Sequence, residues 1–246
     1  MLVARRAERL LRLAGELGGE GRVLAVPLDL ARPDAAEVLA RTLEGRGIGV
    51  DLLVNNAGVG FAGRVHEQPP ERLRAMVDLD VRVVVDLTRT FVPAMVARGR
   101  GALVNVVSMA AFQPVPFLAA YAASKAFVLS LTESLATELA GTGVKVQALC
   151  PGNIPTEFQR VAGTEGAAFT RTKATTPRDV VAASLVGLER GRLVVIPGRR
   201  DRVLLGAQRL VPRSWARRVA AELFRAAAAP SPGPPGKSFR ENGRGR

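Results

Sequence analysis

Tyr121 and Lys125 stand four residues apart in the stretch Tyr121-Ala-Ala-Ser-Lys125. On a helix, that spacing puts a phenol and an ammonium on one face, a turn apart. At ~5 Å and an effective dielectric of ~20, the attraction between phenolate and ammonium is on the order of 3 kcal/mol. An attraction of that size lowers a tyrosine pKa by roughly two units. The phenol then becomes a usable proton donor or acceptor near neutral pH. The same pair on a solvated helix face would do no chemistry, so its meaning rests on the residues that accompany it.

The flanking sequence alternates short apolar runs with amphipathic ones. Leu2-Val-Ala4 reads as the tail of a strand, and residues 5–17 as a helix with Leu10, Leu13, Ala14 and Leu17 at helical spacing, stopped by Gly18-Gly19. Val23 to Leu28 is a buried strand with Asp29-Leu30 at its carboxyl end. A helix opens at Pro33-Asp34 and ends in the Gly45–Gly49 cluster; Leu52-Leu53-Val54 is the next strand, followed by Asn55-Asn56-Ala57-Gly58. Residues 70–97 read as one long helix, Leu103 to Val107 as a strand ending at Ser108, and roughly 119–140 as the helix that carries Tyr121 and Lys125. Strand 144–149 runs into Cys150-Pro151-Gly152, the stretch 153–175 has no firm periodicity, and helix 177–189 and strand 192–196 complete the series. Strands alternating with helices imply a parallel sheet covered on both faces. Ligands of such sheets sit at the carboxyl ends of the strands. Asp29, Asn55-Asn56, Ser108 and Pro151-Gly152 all fall there.

Composition narrows the classes. With 246 residues, 48% hydrophobic and 23% charged, the chain can build one large α/β core. Its apolar runs are shorter than the ~20 residues of a membrane span. The single cysteine, Cys150, allows no internal disulfide and suits a reducing cytoplasm. With no histidine near it in sequence, it reads as a small buried apolar residue. The net charge is +13, and only four of the 35 basic residues are lysines. A basic chain can attract nucleic acid or anionic membrane, but aromatics at 4% are too scattered for base stacking. His66, the one histidine, falls in a loop before Glu67-Gln-Pro-Pro and reads as a surface residue.

The ordered set is Asn-Asn-Ala-Gly after a strand, Ser108 thirteen positions before Tyr121, Tyr-x-x-x-Lys, then Pro-Gly after the next strand. In that order it resembles the short-chain dehydrogenase/reductase family over residues 1 to about 198. The resemblance implies a Rossmann-like, doubly wound parallel sheet and hydride transfer between a nicotinamide and a carbonyl or alcohol carbon. Carried over by position, Tyr121 protonates the carbonyl oxygen in reduction. Lys125 lowers the phenol pKa and holds the nicotinamide ribose, and Ser108 hydrogen-bonds the substrate oxygen. Asn55, Asn56, Ala57 and Gly58 line the adenosine side. Asp29 contacts the adenine with Leu30 beside it. Pro151, Gly152 and Ile154 border the nicotinamide, and Thr156 lies near its carboxamide or caps a helix starting at Glu157. Arg5 and Arg6 follow the family's second strand, where arginine suits a 2′-phosphate, so the resemblance favours NADP(H) over NAD(H).

Two departures stand out. Asp80, in Met76-Val-Asp-Leu-Asp80-Val, occupies the helix where the family usually has an asparagine. It either tunes Lys125 and Tyr121 by its charge or is a helix-surface acid. The family also opens with a strand, a glycine-rich turn and a helix before the strand at Leu2. Here roughly thirty to forty residues of that kind are absent, so the expected sheet lacks its first, central strand. The expectation is a natural start upstream of Met1.

Beyond residue 198, residues 199–228 read as basic amphipathic helices. In 209–227, Val211, Trp215, Val219 and Leu223 recur every four residues among arginines. Such a helix packs on its own body, makes an oligomer contact or lies on an anionic membrane. Residues 229–246, rich in Pro, Gly and Arg, read as a disordered tail. Phe158, Val161 and Phe169 in the 153–175 stretch either line a pocket for a hydrophobic substrate or cover the core. The rival readings are a catalytically incomplete fragment that binds no dinucleotide, and a basic scaffold.

Overall fold

Each apolar run of the sequence becomes a strand and each amphipathic run a helix. The computed structural model describes residues 1–19, 21–172, 174–208 and 211–225. In chain order, β1 (Leu2–Ala4), α1 (Ala7–Glu16), β2 (Ala25–Pro27), α2 (Ala35–Glu44) and β3 (Leu52–Asn55) make up the first part. Then come α3 (Pro70–Val77), α4 (Val83–Ala97), β4 (Gly101–Val106), α5 (Ala119–Glu138) and β5 (Val144–Leu149). The chain continues through α6 (Glu157–Ala162), α7 (Pro177–Glu189), β6 (Val194–Val195), α8 (Arg199–Gln208) and α9 (Arg213–Phe224). None of the helices among the described residues is long and apolar enough to cross a membrane.

The pairings are all parallel. β3, β4, β5 and β6 form one sheet in that order, and β1 and β2 form a second. Successive residues of a strand face opposite sides of the sheet. Ala148 therefore packs among Val84, Val128 and Leu129 of α4 and α5, while Leu149 packs against Val180 of α7. Helices thus cover both faces, the doubly wound α/β architecture that the alternation predicts. No pairing joins β1 to β3 among the described residues.

Packing holds the two sheets together. Leu39 and Leu43 of α2 share one apolar cluster with Val83, Leu87 and Phe91 of α4, and Val3, Val26 and Leu53 of the facing strands close on it. Leu39 is 2% exposed. Replacing it with alanine is expected to cost about 2–5 kcal/mol. Urea unfolding checks this as a lower midpoint at an unchanged slope.

Two expected elements differ. The helix over 70–97 is broken by a π-helical turn at Asp78–Arg82 between α3 and α4. Such a turn inserts one residue and re-aims the side chains around it, commonly at functional sites. Arg82 braces it, bonding Asp78, Asp86 and the carbonyl of Ala31. The helix expected over 209–227 is α9, and positions 209, 210, 226 and 227 lie outside the described residues, as does the 229–246 tail. The stripe Val211, Trp215, Val219 and Leu223 is not the face that packs on the body; α9 uses Ala220 and Phe224 for that.

Candidate active site

The end of β4 and the first turns of α5 meet at the carboxyl edge of the sheet. Ser108 follows β4, and Tyr121, Ser124 and Lys125 on α5 are all buried. The Ser108 side chain hydrogen-bonds the Tyr121 phenol. It also accepts from the backbone N–H of Ala110 at 3.1 Å, capping the 3-10 turn Met109–Phe112. The capping and catalytic readings of Ser108 are therefore compatible. Lys125 donates to the carbonyl of Val106 at 3.3 Å, and its Nζ lies 5.7 Å from the centre of the Tyr121 ring.

Asp80 completes the cluster. The π-helical turn points it inward, so it is fully buried rather than a surface acid. Its Oδ2 lies 3.6 Å from Lys125 Nζ, and its Oδ1 accepts from the N–H of Val59 at 2.8 Å. Ser124 donates to Asp80 at 3.4 Å and to the carbonyl of Tyr121 at 2.8 Å. Gly58 backs onto the pair, and a Cβ there would stand 3.1 Å from both Asp80 Oδ1 and Lys125 Nζ. That closeness is a reason for glycine at 58 that does not involve a ligand.

The electrostatics correct one expectation. Burial pushes the Asp80 carboxyl above its ordinary range, against the pull of Lys125, the Val59 N–H and Ser124. The Tyr121 phenol is also raised, not lowered: burial dominates, the Ser108 hydrogen bond opposes it, and the charge of Asp80 adds to it. The physical reason is burial, which disfavours the charged phenolate, and the buried anion of Asp80 works in the same direction. Cys150 is buried and its thiol is pushed up to about 12, chiefly by burial, which suits the packing role expected of it. His66 is an exposed side chain.

Other predicted residues are spread along the strand ends. Asn55 is buried, and its Nδ2 donates to Asn105 Oδ1 at 2.9 Å; Asn105 in turn donates to Thr132 at 2.8 Å. Asn55 Oδ1 is buried with no partner among the described residues. Asn56 and Ala57 are exposed, and Pro151 is buried with Gly152 and Ile154 half-buried beside it. Thr156 caps α6, accepting from the N–H of Phe158 at 3.3 Å. Asp29 is exposed and holds a turn through the N–H of Ala31 at 3.0 Å, while Leu30 belongs to the apolar cluster between the sheets. Arg5 is exposed at the end of β1. Arg6 and Arg9 both donate to Glu157 Oε2, at 2.9 and 2.8 Å. The two guanidiniums hold the Glu157 carboxyl down at about 2.

The structure thus gathers Ser108, Tyr121, Lys125, Asp80 and Gly58 into one cluster, and leaves Asp29 and Leu30 with the β1–β2 pair. It adds residues that sequence reading missed. Asn105 left a signal as the lone polar residue in an apolar strand run. Asp201, whose carboxylate stands against Gly152 and Gly198, and Glu157 left none. An apolar wall adjoins the phenol: Phe158 lies 5.3 Å from Tyr121 between ring centres, and Val59, Phe61, Val115 and Phe224 pack around them. Phe169 stacks on Phe224, while Val161 is exposed.

Comparison with known proteins gives a consistent picture. The family profile described as short chain dehydrogenase matches residues 1–166. An uncharacterized oxidoreductase of Myxococcus xanthus is 39% identical over 155 residues, covering 63% of this chain and 61% of that protein. Dehydrogenase/reductase SDR family member 4 of Bos taurus is 37% identical over 174 residues, covering 70% of this chain and 62% of that one. The chain therefore spans about three-fifths of the length of these relatives. Among solved structures, a short-chain dehydrogenase from Sphingobium yanoikuyae in complex with NADPH superimposes with a TM-score of 0.71 at 34% identity. That superposition covers 85% of this chain and 83% of the other.

Proposed function

Because the chain belongs to the short chain dehydrogenase family, we propose that it is an oxidoreductase acting on a carbonyl or secondary alcohol, with Tyr121 exchanging the proton at the substrate oxygen. The observation that carries this reading is the buried, connected cluster of Ser108, Tyr121, Lys125 and Asp80 at the carboxyl edge of the sheet.

In reduction, the Tyr121 hydroxyl donates its proton to the carbonyl oxygen, and the Ser108 hydroxyl holds that oxygen as negative charge develops. Lys125 stabilises the phenolate left behind, and Asp80 moderates that pull. A nicotinamide dinucleotide, when bound, supplies or takes the hydride. The residues present fit such a group. Asn55 Oδ1 is a buried acceptor awaiting a donor, and a buried acceptor left unpaired costs about 1–3 kcal/mol. Asn55, Asn56, Ala57 and Gly58 would hold its adenosine side together with Asp29 and Leu30. Pro151, Gly152, Ile154 and Thr156 would hold its nicotinamide side.

Arg5 and Arg6 favour NADP(H) over NAD(H), since a guanidinium matches a phosphate bidentately. Arg9 joins them, because it shares the Glu157 carboxylate with Arg6. A 2′-phosphate would compete with Glu157 for that pair. Glu157→Gln is therefore expected to tighten NADPH by about two- to fivefold, the range of a solvent-screened ion pair, and to leave NADH unchanged. Fluorescence titration of both dinucleotides measures it. The apolar wall beside Tyr121 favours a hydrophobic substrate. The rival reading, a fragment that binds no dinucleotide, draws on the separation of β1–β2 from the larger sheet. Quenching of NADPH fluorescence with turnover of an aryl ketone supports the enzyme; neither signal supports the fragment.

A further inference from the structure

Helix α9 meets the body with the face that carries Arg213, Arg217, Ala220 and Phe224, four residues at helical spacing. Ala220 is buried and Phe224 stacks on Phe169 with ring centres 4.6 Å apart, which seats the second half of the helix. Beside the first half, a trough of about 460 Å³ lies between α9, α5 and the loop that precedes α5. That volume falls within the ~300–1,000 Å³ of small-molecule sites. From α5 the trough receives a row of methyl groups: Ala119, Ala122, Ala123 and Ala126 recur at i, i+3, i+4 and i+7. The loop contributes Pro114 and Pro116, and α9 contributes Arg213 and Arg217. Both arginines are exposed, and neither is in an ion pair among the described residues. The one acid of the helix, Glu222, is taken by Arg225. Ser108, Tyr121 and Lys125 are not among the described residues that line the trough.

We propose that this trough binds a single-chain amphiphile with a phosphate monoester head, its apolar chain along the alanine row and its phosphate on Arg213 and Arg217. Polarity selects the chain. Apart from Gln113 and the two arginines, every side chain that lines the trough is apolar. The backbone offers little to a peptide. Pro114 and Pro116 have no N–H, and the N–H of Ala122 is already spent on the carbonyl of Leu118. A peptide seated there would bury N–H and C=O groups without partners, a cost that a hydrocarbon chain avoids. Charge selects the head. Two guanidiniums one turn apart match a phosphate monoester, which carries about −1.5 to −2 at neutral pH, and each guanidinium fork can take two of its oxygens. A carboxylate brings one charge for two cations. The chain's own segment 229–246 does not complement the pair, since it carries Lys237, Arg240, Arg244 and Arg246 against the single acid Glu241. The trough shares Val115 and Ala122 with the apolar cluster around Tyr121, so a bound chain packs against that cluster. The binding does not depend on the oxidoreductase reading.

Calorimetric titration of the full chain with dodecyl phosphate, kept below its micelle concentration, tests the site. The expected result is a single saturable site per chain. Dodecyltrimethylammonium, the same chain on a cationic head, and inorganic phosphate, the head without a chain, should each bind at least about tenfold more weakly. The double variant Arg213→Gln with Arg217→Gln should weaken dodecyl phosphate by about tenfold or more, with circular dichroism unchanged. Ala123→Leu, at an exposed position of α5, adds a side chain to the trough and should weaken it to a similar degree, also without change in circular dichroism. Equal binding of the two amphiphiles overturns the proposal, as does full affinity in the arginine variant or tighter binding of dodecanoate than of dodecyl phosphate. Sedimentation checks the remaining occupant: if the wild-type chain is a dimer that Ala123→Leu dissociates, and dodecyl phosphate binds neither protein, the trough holds a second copy and the proposal falls.

Discussion

Tyr121→Phe is expected to lower the rate of carbonyl reduction by about a hundred- to ten-thousandfold while NADPH still binds. The substitution removes one hydroxyl and keeps the ring. That ring packs on Phe158 and against Gly60, where a Cβ would already press on Tyr121 Cδ2 at 3.2 Å, and phenylalanine preserves both contacts. What is lost is the hydrogen bond with Ser108 and the acid itself. The structural cost is therefore one buried hydrogen bond, about 1 kcal/mol, too little to unfold the chain. Single-turnover oxidation of NADPH by an aryl ketone separates the two effects. Wild-type turnover by the phenylalanine variant would rule out Tyr121 as the proton donor.

Much of this arrangement was legible because it is local. Strand, loop and helix follow from patterns a few residues long, and Tyr121, Lys125 and Ser108 lie on neighbouring elements. Their distances to one another are set by one β–loop–α unit. Asp80 was visible only as a residue type out of place. Its burial depends on the π-helical turn, where one inserted residue turns the side chain through a large angle around the helix, and hydrophobic spacing does not register such an insertion. The sign of the Tyr121 shift was missed for the same reason. The attraction of Lys125 was predicted from spacing, whereas desolvation and the competing anion depend on what packs around the pair. The ion pairs of Glu157 with Arg6 and Arg9 join residues 151 and 148 positions apart, a distance over which no periodicity speaks. The facing of α9 was left open by its sequence. Its apolar period was correct, but the core recruits a small residue, Ala220, and the end of the helix, Phe224, in place of the stripe.

Asp80→Asn is the variant that tests how charge is arranged behind Tyr121. Asparagine keeps an oxygen for the N–H of Val59, removes the negative charge, and puts an amide donor in place of the Oδ2 acceptor that faces Lys125 and Ser124. That charge raises the Tyr121 phenol and sits 3.6 Å from the ammonium of Lys125. Without it, one of the two influences that raise the phenol is gone, and the Tyr121 pKa falls. Alcohol oxidation needs the phenolate, so its rate rises with pH through that pKa, and the rising limb moves to lower pH in the variant. Reduction needs the phenol, so its falling limb moves the same way. Stability carries a second signature. The folded pKa of Asp80 lies above its unfolded value. Its contribution is thus fully present below the unfolded pKa and is lost as pH rises through the folded one. Wild type bears this loss and the asparagine variant does not, so the variant should gain stability relative to wild type as pH rises above the ordinary carboxylate value of about 4. Urea melts across that rise measure the gain, and pH–rate profiles in both directions measure the limbs. Limbs that coincide in the two proteins would mean that the Asp80 charge never reaches the phenol, and a stability difference independent of pH would mean that the carboxyl does not titrate in this range.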